Sequence, residues 1–312
     1  MTQISAAMVK ELRDKTGAGM MDCKQALIEN AGDIEASVDW LRKKGLSKAA
    51  KKSGRVAAEG LIGVAVEGKT GTLVEVNSET DFVARNAQFQ EMVREISKLA
   101  LQAGGDLSKL LALPFPGKTV SVEEHVREMI ATIGENMNVR RTAQLTAGAD
   151  GIIVDYIHNR VAEGLGKMGV LVALESTGDK AKLNEFGRQI AMHIAAAAPL
   201  AITVEDLDPA VIERERKIYE EQAAASGKPA DIVAKMAEGR LRKEFFQQVV
   251  LMQQIFVIDG KSTVEQAVKE AAGTVGAPVK ITGFVRYALG EGIEKKEEDF
   301  AAEVAAAVSG TR

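Results

Sequence analysis

The pattern of apolar and polar residues changes its period within residues 77–86. Before this stretch, apolar and polar residues alternate over 72–77, which is typical of a β-strand. After it, apolar residues recur every three or four positions, as in an amphipathic helix: Phe89, Met92, Val93, Ile96, Leu99 and Ala100. Ser78 and Asp81 have capping-box spacing, so we predict that they cap this helix. The stretch is therefore a corner between a strand and a helix.

Phe82 lies at this corner, and the pattern leaves two interpretations of it open. It precedes Phe89 by seven residues and would share its helical face, which favours a position in the core. Arg85 and Asn86 should bridge the two aromatic residues along that face, but both are polar. This break in the apolar stripe favours an exposed Phe82.

A second copy of the pattern begins at Gly151 and provides an internal comparison. Each copy predicts a hairpin followed by a helix, and we expect a long turn over 160–167 in the second hairpin. The second corner, residues 175–180, again has a serine and an aspartate, but Lys180 replaces the aromatic residue. Capping explains the shared residues, whereas Phe82 requires another role.

The N-terminal part predicts three short helices over residues 4–45. The third helix is capped by Asp33 and is expected to end at Gly45. Met20 and Met21 follow a glycine-containing turn between the first two helices. They either fill the core of this module or form an adaptable contact surface, a use that methionine suits.

The rest of the chain predicts further helices and strands. Ser121 and Glu124 cap one helix, and a strand follows over 138–146. Two charged helices over about 209–245 favour an antiparallel hairpin, with narrow apolar seams and little nucleic-acid character because acidic and basic residues alternate. A charged helix over 295–308 ends the chain.

These elements predict an α+β fold in which two repeated sheet-plus-helix units form the core. The predicted division of the chain is a three-helix module with a basic linker at 1–55, core subdomains at 56–147 and at 148–198 with 246–289, an inserted hairpin at 199–245 and a C-terminal helical module at 290–312.

Composition excludes several classes of protein. The 312 residues are 46% hydrophobic and 27% charged with a net charge of −4, which is ordinary for a globular protein and does not indicate bulk nucleic-acid binding. No apolar run is long enough to span a bilayer, and the first residues lack a signal-peptide pattern. Cys23 is the only cysteine, so we expect a cytoplasmic protein without an intramolecular disulfide.

Two motifs suggest other functions. Residues 63–70 match the phosphate-binding loop pattern G-x-x-x-x-G-K-[ST], but that loop must open a helix, whereas these residues fall in a predicted β-hairpin. Residues 42–55 contain seven basic residues and no acidic one, which could follow a nucleic-acid backbone. The run lacks aromatic residues, and a solvated connecting helix or linker is the favoured interpretation.

The sequence shows no pattern of an enzyme. His125, His158 and His193 lie in different segments without metal-ligand spacing, and no nucleophile elbow is present. We therefore expect no catalytic residue, metal or cofactor.

Three motifs in fixed order resemble the bacterial elongation factor Ts family. They are Met20-Met21-Asp22-Cys23-Lys24, Thr80-Asp81-Phe82-Val83-Ala84-Arg85-Asn86 and Gly134-Glu135-Asn136-Met137-Asn138-Val139-Arg140-Arg141. The resemblance extends over nearly the whole chain, up to Gly290-Glu291-Gly292.

The resemblance implies a guanine-nucleotide exchange factor that binds the GTPase elongation factor Tu. It implies an N-terminal module similar to ubiquitin-associated domains and a coiled-coil hairpin that can form homodimers. It also implies contacts with the partner at Arg13, Met20, Met21, Lys24, Thr80, Asp81, Phe82, Val83, Ile133, Gly134 and His158. The Asp81–Phe82 pair would enter the partner's GTPase domain; no direct contact with nucleic acid or a membrane is implied.

Overall fold

The computed structural model describes residues 4–16, 18–225 and 227–294, with the backbone alone for 46–48. Within these ranges the helices are α1 Ala6–Thr16, α2 Met20–Glu29, α3 Ile34–Lys52, α4 Asp81–Ala84, α5 Ala87–Ala103, α6 Leu107–Ala112, α7 Val122–Ile133, α8 Lys180–Ala197, α9 Pro209–Ala224, α10 Ala230–Arg240, α11 Phe246–Val249 and α12 Val264–Val275. The strands are β1 Glu59–Glu67, β2 Thr70–Ser78, β3 Met137–Thr146, β4 Gly151–Ala162, β5 Leu165–Glu175 and β6 Lys280–Ala288. The terminal helix predicted at 295–308 falls outside the described residues.

The strands form one antiparallel sheet in the order β3-β2-β1-β5-β4, with β6 also paired to β5. Both predicted units of hairpin plus helix are present, as β1, β2 and α5 and as β4, β5 and α8. The fold is thus α+β, as the sequence predicts. The division into two subdomains stays a prediction.

The sheet folds on itself where β1 meets β5. These two strands share only the pairs Ile62 with Gly166 and Gly63 with Leu165. Beyond this short pairing the two halves face each other: a Cβ at Gly71 on β2 would lie 2.8 Å from Cγ2 of Ile153 on β4. The inner faces pack around one apolar cluster: Ile62, Leu73, Ala147, Ile153, Leu171 and Ala173.

Helices cover the outer face of each half of the sheet. Side chains alternate along β2, so Val74 and Val76 point away from the inner cluster and pack with α5 and α7. On the other half, Val172 and Leu174 of β5 pack with α8 and α12. The buried apolar stripes of these helices account for their stability more than their intrinsic propensity does.

The N-terminal helices have a small core of their own, formed by Val9, Leu12, Cys23, Ala26 and Leu27. The prediction that the third helix ends at Gly45 was wrong. Helix α3 continues to Lys52 because it packs along α7, where a Cβ at Gly45 would lie only 3.0 Å from Cβ of Ala131. Tertiary packing here outweighs the low helix propensity of glycine.

The expected long turn over 160–167 was also wrong. Strand β4 continues to Ala162 and β5 begins at Leu165, so the connection is a tight turn in which Gly164 has a φ of +71°. A register shift between Arg160 and Ala162 adjusts the pairing before the turn.

Helices α9 and α10 form the predicted hairpin. The guanidinium of Arg240 lies 4.4 Å from the ring centroid of Tyr219 and donates a 2.6 Å hydrogen bond to Gln222. At the base of the hairpin, apolar residues form a separate cluster: Ala201, Leu207, Leu241, Phe245, Phe246 and Val250. No helix among the described residues is long and apolar enough to cross a membrane.

Candidate partner-binding surface

Helix α4 is a single turn that presents two adjacent residues to solvent. Phe82 is 75% exposed, and Asp81 is exposed beside it. The next two residues, Val83 and Ala84, are 4% and 2% exposed and belong to the core under α5. The buried pair fixes the turn on the protein body, so the aromatic ring of Phe82 stands outside the core.

Asn86 explains why Phe82 does not continue the stripe of α5. Its side chain accepts hydrogen bonds from the amides of Gln88 at 2.8 Å and Phe89 at 3.2 Å, and so starts a new helix. Phe82 and Phe89 therefore lie on different helices. Of the two interpretations of Phe82, the structure confirms the exposed position.

The predicted capping box of Ser78 and Asp81 was wrong. The Ser78 hydroxyl donates to the carbonyl of Thr80 at 3.0 Å, and Asp81 forms an ion pair with Arg85 at 3.5 Å. At the second corner, by contrast, Asp179 does cap α8 through two backbone amides. The extra turn α4 accounts for the difference, because it moves the start of the long helix to Asn86.

A reciprocal set of hydrogen bonds holds the N-terminal side of α4. The carboxylate of Glu135 accepts from the Thr80 amide at 2.9 Å and from the Thr80 hydroxyl at 2.7 Å. In return, the Glu79 carboxylate accepts from the amide of Asn136. We call these four residues the Glu79–Glu135 clasp. It joins the segment before α4 to the turn between α7 and β3.

The end of α3 meets the same turn. Lys52 donates to the carbonyl of Gly134, and Asn136 donates to the carbonyl of Arg55 at 2.7 Å. Arg55 also forms an exposed ion pair with Glu79 at 3.4 Å. The basic run 42–55 is thus mostly helical, and several of its cations contact the protein body. This agrees with its interpretation as a connecting helix.

A second exposed surface lies on α2. Met20 and Met21 are 60% and 75% exposed, and Lys24 is exposed one turn further along the helix. The core side of α2 is filled by Cys23, Ala26 and Leu27. The methionines therefore do not fill the core of this module, and their use as a contact surface stays a prediction.

The sequence analysis missed one residue of this surface. Ile28 is 58% exposed on α2, seven positions after Met21 and hence on the same side of the helix. The spacing from Met21 was a usable signal. Arg13 is exposed on the neighbouring α1.

The remaining predicted contact residues are Ile133, Gly134 and His158, and they lie in two different places in the fold. Ile133 is half-buried at the end of α7, and Gly134, with a φ of +94°, begins the turn that carries Glu135. His158 is exposed on β4, where its Nδ1 lies 3.0 Å from the Tyr156 hydroxyl. The structure thus connects Thr80, Gly134 and their neighbours through the clasp, whereas His158 lies on the other half of the sheet.

The phosphate-loop pattern at 63–70 is a β-hairpin. Gly63 lies within β1, where a Cβ would lie 2.1 Å from the Ser97 hydroxyl, and Lys69 donates to the carbonyl of Ala149. No helix follows the hairpin turn, so backbone amides and a helix dipole do not converge on a phosphate site. Across the residues that the structure describes, no three His, Cys, Asp or Glu side chains form a metal-binding group.

An exposed aromatic residue and exposed methionines on an α+β frame favour a protein that binds a partner through its surface. The comparisons with known proteins agree with this class and give the family. The family model described as Elongation factor TS matches residues 79–291, and the chain belongs to the elongation factor Ts family of translation elongation factors.

Similar proteins cover nearly the whole chain. The chain is 60% identical over 310 residues to Elongation factor Ts of Parvibaculum lavamentivorans, covering 99% of this chain and 100% of that protein. It is 60% identical over 305 residues to Elongation factor Ts of Rhodospirillum centenum, with 98% and 99% covered. It is 59% identical over 307 residues to Elongation factor Ts of Bartonella henselae, again with 98% and 99% covered.

Proposed function

We propose that this protein is a guanine-nucleotide exchange factor that binds elongation factor Tu and accelerates the release of GDP. It acts on a GTPase partner and carries out no chemical step itself. The observation that supports this most directly is Phe82, an aromatic side chain that is 75% exposed on a turn anchored from both sides. Such a residue contributes nothing to its own core and is available to a partner.

In this proposal, Asp81 and Phe82 enter between helices of the partner's GTPase domain and disturb the magnesium and phosphate side of its nucleotide site. Burial of the exposed Phe82 ring drives the insertion. Full burial of such a ring is worth roughly 1.5–3 kcal/mol. Since about 1.4 kcal/mol corresponds to tenfold in rate, this residue supplies about one to two decades of acceleration. A larger acceleration requires the rest of the interface.

The other surfaces supply the remaining binding energy. We propose that the module at 1–55 rests on the partner's GTPase domain through Arg13, Met20, Met21 and Lys24, which are exposed on α1 and α2. Further contacts come from core subdomain 56–147, at Thr80, Ile133 and Gly134, and from the second core subdomain at His158. Buried Val83 acts by fixing α4 and not by direct contact.

Thermodynamic linkage explains how the cycle is completed. A factor that weakens the partner's hold on nucleotide must itself bind more weakly when nucleotide is present. Incoming GTP therefore displaces the factor from the partner.

The hairpin at 199–245 is proposed as a self-association surface. Ile218 on α9 and Ile232 on α10 are exposed apolar residues of these two helices. They are available to a second copy of the hairpin.

Release of a fluorescent GDP analogue from elongation factor Tu, followed by stopped flow with and without this protein, tests the proposal. We expect a large acceleration that rises with factor concentration and saturates. A release rate that does not change with added protein would contradict it. Labelled GTP added to the isolated protein serves as a control for a nucleotide site of its own.

A further inference from the structure

The Glu79–Glu135 clasp places both hydrogen-bond donors of Thr80 on one carboxylate. Glu135 accepts the Thr80 amide at 2.9 Å and the Thr80 hydroxyl at 2.7 Å. Thr80 directly precedes Asp81, the first residue of α4. The segment entering the exposed turn is therefore fixed by a side chain that comes from a distant part of the sequence.

Helix α4 cannot hold its own conformation. One turn of helix satisfies few of its backbone groups, and an isolated turn is unfavourable because nucleation is costly. No side chain caps its N-terminus, and the Thr80 hydroxyl instead donates to Glu135. The turn is held on its C-terminal side by buried Val83 and Ala84 and on its N-terminal side by the clasp.

We propose that Glu135 is a positioning residue for exchange, which presents Asp81 and Phe82 to the partner by fixing Thr80. This inference rests on the proposed function. Two features of the clasp support it. Hydrogen bonds to a carboxylate are stronger than those between neutral groups. The reciprocal bond from the Asn136 amide to Glu79 keeps the segment from rotating about a single contact.

Glu135→Gln tests the proposal in the full chain. The amide side chain keeps the size of the glutamate but offers one acceptor oxygen in place of two. We expect the maximal rate of GDP release from elongation factor Tu to fall about tenfold, the factor carried by one lost hydrogen bond to a charged group. Glu123→Gln is the matched control, because Glu123 is an exposed residue of the preceding helix α7 that forms an ion pair with Arg127.

A double-mutant cycle separates positioning from general destabilisation. If Glu135 acts through the exposed turn, Glu135→Gln has an effect of less than about twofold in a Phe82→Ala background, since the two changes are then strongly non-additive. Equal losses in both backgrounds would overturn the proposal, as would an unchanged rate for Glu135→Gln alone.

Thr80 gives a second, independent route. Thr80→Val removes the hydroxyl that Glu135 accepts, and Thr80→Ser retains it. We expect elongation factor Tu to release GDP faster with Thr80→Ser than with Thr80→Val. Equal rates for the two variants would count against a role for this hydrogen bond.

Amide hydrogen exchange in the isolated chain tests the clasp without the partner. The Thr80 amide donates to Glu135, so its hydrogen exchange should accelerate about tenfold in Glu135→Ala, which removes both acceptor oxygens, and stay unchanged in Glu123→Ala. Unchanged exchange at Thr80 would overturn the proposal. If the unmodified protein fails to accelerate GDP release, the proposed function fails. The hydrogen-exchange measurement still decides whether Glu135 holds the turn.

Discussion

Phe82 and Phe89 lie seven residues apart, yet one is 75% exposed and the other is fully buried. A single helix would place both on one face. Instead the chain forms the short helix α4, passes through Arg85 and restarts at Asn86, whose side chain caps α5. The two aromatic rings therefore belong to different helices, and only Phe89 contributes to the core.

The pair gives a direct comparison of stability. Phe89→Ala removes a buried ring and should lower the free energy of unfolding by about 3–5 kcal/mol. Phe82→Ala should change it by less than about 0.5 kcal/mol because its ring is mostly in water. Urea unfolding of both variants measures the difference. Similar losses for the two variants would mean that Phe82 belongs to the core after all.

Asn86 should control both the stability of α5 and the exposure of Phe82. Asn86→Ala removes the acceptor for the Gln88 and Phe89 amides and should cost about 1 kcal/mol, the usual value of an N-cap. Asn86→Asp retains an acceptor and should stay close to the unmodified protein. Thermal unfolding checks both variants; equal melting temperatures for Asn86→Ala and the unmodified protein would contradict this role.

Glu75 joins the two halves of the sheet through a buried ion cluster. Its carboxylate is fully buried on β2 and accepts from Arg140 at 3.1 Å and from the Gly290 amide at 2.8 Å, just after β6. Arg141 of β3 also binds Glu75 and stacks on Tyr287 of β6 at 4.1 Å. The cluster thus ties the half that carries α4 to the half that ends at β6.

The Glu75 cluster should make the free energy of unfolding depend on pH in the acidic range. Burial alone raises the pKa of Glu75, but hydrogen bonds from the Gly290 amide, Asn77 and Arg141 outweigh it, and the pKa lies below its usual value. A carboxyl whose pKa is lower in the folded than in the unfolded chain stabilises the fold fully above about pH 4.3. This stabilisation is lost as the pH falls through the lowered value.

Glu75→Gln should therefore be less stable by about 3 kcal/mol at neutral pH, because two arginines lose their buried partner. The gap to the unmodified protein should narrow as the pH falls below about 4.3, because the unfolded chain is protonated at Glu75 first and the folded chain follows only at its lowered pKa. Urea unfolding at a series of pH values measures the gap. A gap that stays constant into acid would show that the charge of Glu75 is not what matters.

His193 should add acid sensitivity at a higher pH. Its ring is fully buried, with Nε2 2.8 Å from the Gln254 side-chain oxygen, while Nδ1 accepts from the Val257 amide at 3.2 Å. Burial lowers the pKa of His193 more than the Gln254 hydrogen bond raises it. Protonation would also place a hydrogen on Nδ1 against the Val257 amide.

A histidine with a lowered pKa in the folded state stabilises the fold fully above about pH 6.5 and loses that contribution as the pH falls. In the unmodified protein, the free energy of unfolding should therefore decrease as the pH falls below about 6.5. His193→Gln should be less stable at neutral pH but flatter over this range. If the free energy of unfolding changes equally with pH in the unmodified protein and in His193→Gln, the pH dependence comes from groups other than His193.

The sequence predicted the features that depend on local patterns. The apolar stripes of α5 and α7, the capping box of Ser121 and Glu124, and the α+β class are all present in the structure. The exposed alternative for Phe82 followed from two polar neighbours and from the repeat, in which Lys180 stands at the equivalent position. These signals are local because helix caps and stripes act within a few residues.

The missed features depend on contacts between distant segments. The clasp pairs Thr80 with Glu135, 55 positions away, and no periodicity marks such a pair. Helix α3 continues past Gly45 only because α7 packs against it. Asn86 looked like a break in one helix, although it is the cap of the next, because a one-turn helix is too short to show a period of its own.

The central claim is that Phe82 drives GDP release from elongation factor Tu. The most direct test is the rate at which elongation factor Tu releases a fluorescent GDP analogue at a saturating concentration of the Phe82→Ala variant. Val66→Ala, which trims an exposed apolar residue at the far end of β1, is the control. We expect Phe82→Ala to lower the stimulated rate about 10- to 100-fold, the equivalent of one buried phenylalanine ring, and Val66→Ala to match the unmodified protein. A Phe82→Ala variant that is fully folded and releases GDP at the unmodified rate would contradict the account.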